Sequence, residues 1–150
     1  MKRLLAFATL LPAVAASLGT GVGAASAATS PRSGEFHMSK ECSAYSGLAG
    51  EHCTITSSTL RALGPGARIV YASGADFGSL TLDTDISITT GPGNTAYGHC
   101  TLNLATASGM CTLDGGTGKF TWMHADVVVS YDSETQLWNW DGTFEFTPHG

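Results

Sequence analysis

His124 and Asp126 stand two residues apart in a stretch rich in β-branched residues, so an extended strand carries both on one face. An imidazole beside a carboxylate is a common acid–base pair, because the carboxylate orients the ring and supports its charged form. His99 follows Tyr97 at the same spacing, and Tyr71 and Glu145 are further proton donors or acceptors if their strands turn them inward. Turned outward, each is an ordinary solvated side chain. Asp83 and Asp85 share a strand face at about 6.5–7 Å by strand rise. That spacing suits acid–base work or a weak Ca²⁺ site, but Ca²⁺ takes roughly six to eight oxygens and no further ligands cluster in sequence. The pair reads better as a wet strand face.

A second kind of chemistry is suggested by Trp138, Trp140, Phe144 and Phe146, which alternate along one run with Gly142 between them. Planar rings at every other position line either a packed interior or a cavity for a small apolar molecule. The loop Gly115-Gly116-Thr117-Gly118-Lys119 invites a phosphate-binding reading. A Walker loop needs G-x-x-x-x-G-K-[ST], however, and Leu113 and Phe120 occupy its first and last positions. A tight turn with positive φ explains the glycines better.

Cys42, Cys53, Cys100 and Cys111 form two pairs, each with ten intervening residues. The spacing is too wide for a zinc knuckle. An even count in an oxidising space reads as disulfides, and of the three connectivities the local pairs Cys42–Cys53 and Cys100–Cys111 are favoured, each closing a short loop.

The chain has 150 residues and begins with a basic pair, Lys2 and Arg3, followed by a mostly apolar run and then Ala25-Ser26-Ala27. This is the pattern of a signal peptide cleaved after residue 27, too short to hold as a membrane span. The expectation is a secreted protein, with a loose lead-in over 28–38 and a single domain over 39–150. Beyond the leader, twelve acidic residues face five basic ones. A nucleic-acid partner is excluded on that balance, since phosphate binding needs clustered Lys and Arg. Nothing calls for a cofactor or a metal.

The elements that must position these residues are strands. Leu80 to Thr90 alternates Leu80, Leu82, Thr84, Ile86 and Ile88 against Thr81, Asp83, Asp85, Ser87 and Thr89. After the turn at 91–94, Ala96, Gly98, Cys100, Leu102 and Leu104 lie opposite Tyr97, His99, Thr101 and Asn103. Further strands are expected around 54–58, 68–72, 110–113, 120–131 and 137–147, with single helical turns near 39–53 and 59–63. Strands of this length joined by short turns favour an all-β, antiparallel up-and-down barrel of about eight strands with an N-terminal stapled loop. Only one face of each strand can point inward, so the aromatic stripe and the Tyr97–His99 set need not share an interior.

The segment Gly115-Gly116-Thr117-Gly118-Lys119-Phe120, followed by a long strand and by Trp140-Asp141-Gly142-Thr143-Phe144-Glu145-Phe146, resembles the closing hairpin of the allene oxide cyclase and dirigent barrels. The chain is also similar to small exported proteins of actinomycetes that keep the GHCTLN, GGTGKF and WDGTFEF segments. The resemblance implies an eight-stranded barrel with a hydrophobic mouth, often trimeric. Members of the superfamily cyclise a fatty-acid epoxide or steer the coupling of phenoxy radicals. It carries no site residue across to this chain. Three functions are therefore expected to compete. The first is binding of a small, largely apolar molecule by Trp138, Trp140, Phe144 and Phe146. The second is a metal-independent isomerase or cyclase in the same cavity, drawing on Tyr97, His99, His124 or Glu145. The third is an extracellular interaction or inhibitor protein presenting a stapled loop.

Overall fold

The structure is a computed structural model that describes residues 32–148. The leader expected over 1–27 lies outside the described residues. Eight strands follow in order: β1 (Ser33–Glu41), β2 (His52–Ser58), β3 (Arg68–Tyr71), β4 (Thr81–Thr89), β5 (Thr95–Asn103), β6 (Ser108–Gly116), β7 (Met123–Asp132) and β8 (Leu137–Phe146). Each pairs antiparallel with the next, and β8 returns to β1, closing the barrel. Closure leaves no unpaired strand edge. Two 3₁₀ turns, Arg61–Leu63 and Gly118–Phe120, complete the regular structure among the described residues. No described helix is long and apolar enough to cross a membrane.

The alternation does what a two-residue period requires. Leu82, Thr84, Ile86 and Ile88 of β4 point inward, and Ala96, Cys100 and Leu102 of β5 meet them from the neighbouring strand. Leu80, expected on that face, precedes the strand at positive φ and is exposed. On β8, Trp140 and Phe144 are buried, while Trp138 and Phe146 are half-buried at opposite ends. Complete burial of each large apolar side chain contributes roughly 1.5–3 kcal/mol.

Both expected disulfides are present, Cys42–Cys53 and Cys100–Cys111. Cys100 and Cys111 lie directly opposite each other on β5 and β6, with both sulfurs inside the barrel. Cys42–Cys53 staples the loop between β1 and β2 instead. Within that loop Glu51 accepts hydrogen bonds from the backbone N–H groups of Ser46 and Leu48.

The beginning of the domain differs from expectation. The segment read as a lead-in supplies β1 from Ser33 onward, and Phe36 and Met38 are core residues. Over 39–53 no helix forms, and the loop instead turns through i→i+3 hydrogen bonds, with the Tyr45 N–H donating to the Cys42 carbonyl and the Glu51 N–H to the Leu48 carbonyl. Residues 28–31 lie outside the described part. At the other side of the barrel, β7 begins at Met123, and Phe120, expected in that strand, closes the preceding 3₁₀ turn with its ring buried.

Candidate functional site

The antiparallel register sorts the interior into two ends and a plugged middle. On β1 and β8, Gly34 pairs with Phe144 near one end and Lys40 with Trp138 near the other. Between them Trp140 is fully buried, opposite Met38 on β1 and Val129 on β7. The four aromatics proposed to line one cavity therefore do not share it: Phe144 and Phe146 face one end, Trp138 the other, and Trp140 separates them.

The first end is an open mouth of about 530 Å³. Phe144, Phe146 and Leu60 supply its apolar wall, and Phe144 meets Phe36 and Phe146 edge-on at centroid distances of 6.5 and 5.9 Å. Leu60 and the 3₁₀ turn after it are brought there because β2 ends at Ser58, whose hydroxyl accepts from the Leu60 N–H. Arg32, Arg61 and Lys119 stand on the same mouth, with Glu35 beside them. Lys119 is delivered by the glycine loop. Gly118 takes φ 57°, and a Cβ there would run into Asn94 and the Gly93 carbonyl, so only glycine fits the turn. Three of the five basic residues beyond the expected leader thus gather at one opening.

The second end is a small pocket of about 40 Å³, open to solvent on one side and walled by Lys40, Tyr45, Tyr71, Leu102, Trp138 and the Cys42–Cys53 disulfide. Lys40 is 2 % exposed, although it carries an amine. Its Nζ donates to Tyr71 Oη at 2.5 Å and lies 4.8 and 5.2 Å from the ring centroids of Trp140 and Tyr71. Burial away from water disfavours the ammonium form and pushes its pKa down to about 7. The same burial holds the Tyr71 phenol well above its ordinary range. Tyr45 packs its ring 4.9 Å from that of Tyr71, and its hydroxyl is buried without a hydrogen-bond partner.

The proposed acid–base residues sit elsewhere. Tyr97, His99, His124 and Glu145 all point to the outside of the barrel, on the face opposite the buried residues of their strands. His99 bridges Asp83 and Asp85 at 2.6 and 2.8 Å, and its hydrogen bond to Asp85 is the main cause of a raised pKa. The two aspartates thus hold an imidazole between them on the wet face of β4 and β5. His124 meets Asp126 at 3.2 Å, the pair expected from their spacing, and is directly opposite Glu145 on β8. A similar arrangement holds His37 against Asp141 and Glu35 at 2.7 and 3.5 Å, its pKa raised chiefly by Asp141. No group of three or more His, Cys, Asp or Glu among the described residues is placed to hold a metal.

Tyr71, whose orientation the sequence leaves open, lies inward, and Lys40 and Tyr45 join it without having been among the sequence candidates. The signal for Lys40 lies in parity: Phe36, Met38 and Lys40 occupy one face once β1 is taken as continuous.

The fold and these two openings define an antiparallel, disulfide-stapled closed barrel with an apolar mouth and an inner amine. Comparison of the chain with family models, with curated proteins and with solved structures finds no match.

Proposed function

We propose that the protein is a secreted barrel that binds a small, largely apolar molecule with an acidic end group at its open mouth. The observation carrying this reading is the coincidence of an aromatic wall, Phe144 and Phe146, with three cations, Arg32, Arg61 and Lys119, around one 530 Å³ hollow. Binding sites of this volume suit small molecules: apolar walls supply affinity and a few polar groups fix orientation. In a chain with an excess of acidic residues, cations gathered at one opening attract an anion that the rest of the surface repels. The two disulfides fit an oxidising compartment. The resemblance to the allene oxide cyclase barrels, which act on a fatty-acid epoxide, supports the same choice of ligand class, whereas the dirigent likeness points to phenolic ligands.

Displacement of a fluorescent fatty-acid analogue by unlabelled decanoate tests the proposal. Saturable binding is expected. Arg61→Glu and Lys119→Glu should each weaken it about fivefold, the loss of about 1 kcal/mol of partly solvated charge interaction. Absence of saturable binding by the wild-type protein would reject the reading.

A second reading, an interaction protein, draws on Leu48 and Phe77, which are 64 and 61 % exposed at and beside the stapled loop. It becomes the better account if the mouth takes no ligand.

A further inference from the structure

The small pocket at the other end contains a group that mouth binding does not use. We propose that Lys40 is an amine nucleophile that forms an imine with a small carbonyl compound, an aldehyde of a few heavy atoms, in the pocket walled by Tyr45, Tyr71 and Trp138. Four observations carry it.

The amine is buried and borders that small pocket, with no carboxylate among the residues that wall it. A lysine kept only for structure is ordinarily paired with an acid, because an unpaired buried ammonium is costly. Here the partner is a phenol. Second, the pocket holds about 40 Å³, whereas about 10–15 Å³ of such space admits one water. It therefore has room for a small aldehyde and fits an aromatic one poorly.

Third, the hydrogen-bonded phenol of Tyr71 sits where imine formation needs an acid. Its raised pKa keeps the proton on oxygen at neutral pH, and the pKa of about 7 at Lys40 leaves much of the amine neutral there. Fourth, the Tyr45 hydroxyl is a buried donor with no partner, able to hold a carbonyl oxygen within the pocket it lines.

The chemistry balances without a further reactant. The nitrogen lone pair of Lys40 forms the C–N bond as the carbonyl π pair moves to oxygen. That oxygen gains a proton from Tyr71 while the nitrogen returns one to the phenolate, giving a carbinolamine. The C–O bond then breaks as Tyr71 protonates the departing oxygen to water. The lone pair closes C=N, and the remaining N–H proton restores the phenol. Aldehyde and amine become imine and water.

The test is reductive trapping on the folded, disulfide-intact protein at pH 7, with acetaldehyde and cyanoborohydride, followed by peptide mapping. The exposed Lys119 is the internal reference. An ordinary lysine of pKa about 10.4 is neutral in only about one molecule in 2,500 at pH 7, so Lys40 should be ethylated at least about tenfold faster. Tyr71→Phe should slow labelling of Lys40 about tenfold or more while leaving Lys119 unchanged. Benzaldehyde, too bulky for about 40 Å³, should label Lys40 more slowly than acetaldehyde does while still reaching Lys119. Lys40 labelled no faster than Lys119, or only after the disulfides are reduced and the chain unfolded, would overturn the proposal. That failure is distinct from loss of fatty-acid binding, which concerns the opposite end of the barrel.

Discussion

At the scale of single residues, Lys40 is the side chain at which burial and charge conflict most directly. Its amine is desolvated and compensated only by a phenol and two ring faces. Because its folded pKa is depressed to about 7 from an unfolded value near 10.5, the unfolded chain binds more protons between those pH values. Stability therefore rises with pH across that window. The penalty is full below pH 7 and absent above the unfolded pKa. By linkage it amounts to at most about 5 kcal/mol. Lys40→Met, which keeps the length and removes the charge, should raise the thermal midpoint at pH 6. The advantage should shrink toward zero by about pH 10, read by calorimetry across that range. A pH-independent difference, or a loss of stability at pH 6, would contradict this account. The histidines work in the opposite sense. His37 and His99 have raised pKa values, so their protonated forms favour the folded state below the ordinary histidine range, and that contribution fades as pH rises through the folded values. Both are exposed and screened by solvent, so Lys40 should dominate the profile.

At the scale of elements, β8 shows how closely the strands approach one another. A Cβ built on Gly142 would fall 1.9 Å from the Asp126 carbonyl oxygen, whereas one on Gly34 would meet the Phe144 ring at an ordinary 3.4 Å. Gly142→Ala should therefore push β7 and β8 apart and cost about 2–4 kcal/mol, while Gly34→Ala should change stability by less than about 1 kcal/mol. Chemical denaturation of the two variants checks the contrast. Equal effects would show that the β7–β8 contact is looser than described.

The elements also explain what the sequence could and could not disclose. Strands β4, β5 and β8 were readable because each buries one face and wets the other, so their residues alternate. Ile86 and Ile88 against Asp85 and Ser87 leave little ambiguity. β1 defeats the same logic. Its inward set ends in Lys40, and its outer set includes Ser33 and Glu35 next to Gly34. Polarity then marks neither face, and Pro31, Ser33 and Gly34 suggest a loop. The pairing of β1 with β2 is further disturbed by a register shift at Ser39 and Lys40. For the site, parity placed Trp138, Trp140, Phe144 and Phe146 on one face, and the structure turns that face inward. Depth along the barrel axis was not legible. It depends on the stagger between strands, which sends Phe146 to the mouth and Trp138 to the small pocket.

For the whole molecule, closure determines where chemistry can occur. With β8 joined to β1 and Trp140 filling the middle, the interior offers two separated spaces rather than a continuous throat. The larger opens among cations on an acidic protein, and the smaller is bordered by a buried amine. The outer faces hold histidines that are already engaged by carboxylates. Barrels of this size are filled by their own side chains or leave room for one small ligand. This one does both, at different heights.

The most direct measurement is an amide chemical-shift titration of the isotopically labelled protein with decanoate. Binding at the mouth predicts saturable shifts concentrated at Arg32 to Glu35, Thr59 to Ala62, Lys119, Phe144 and Phe146, with the amides around Lys40 and Tyr71 unmoved. Shifts centred on the outer faces near His99 or His124, or no saturable shift at all, would contradict it.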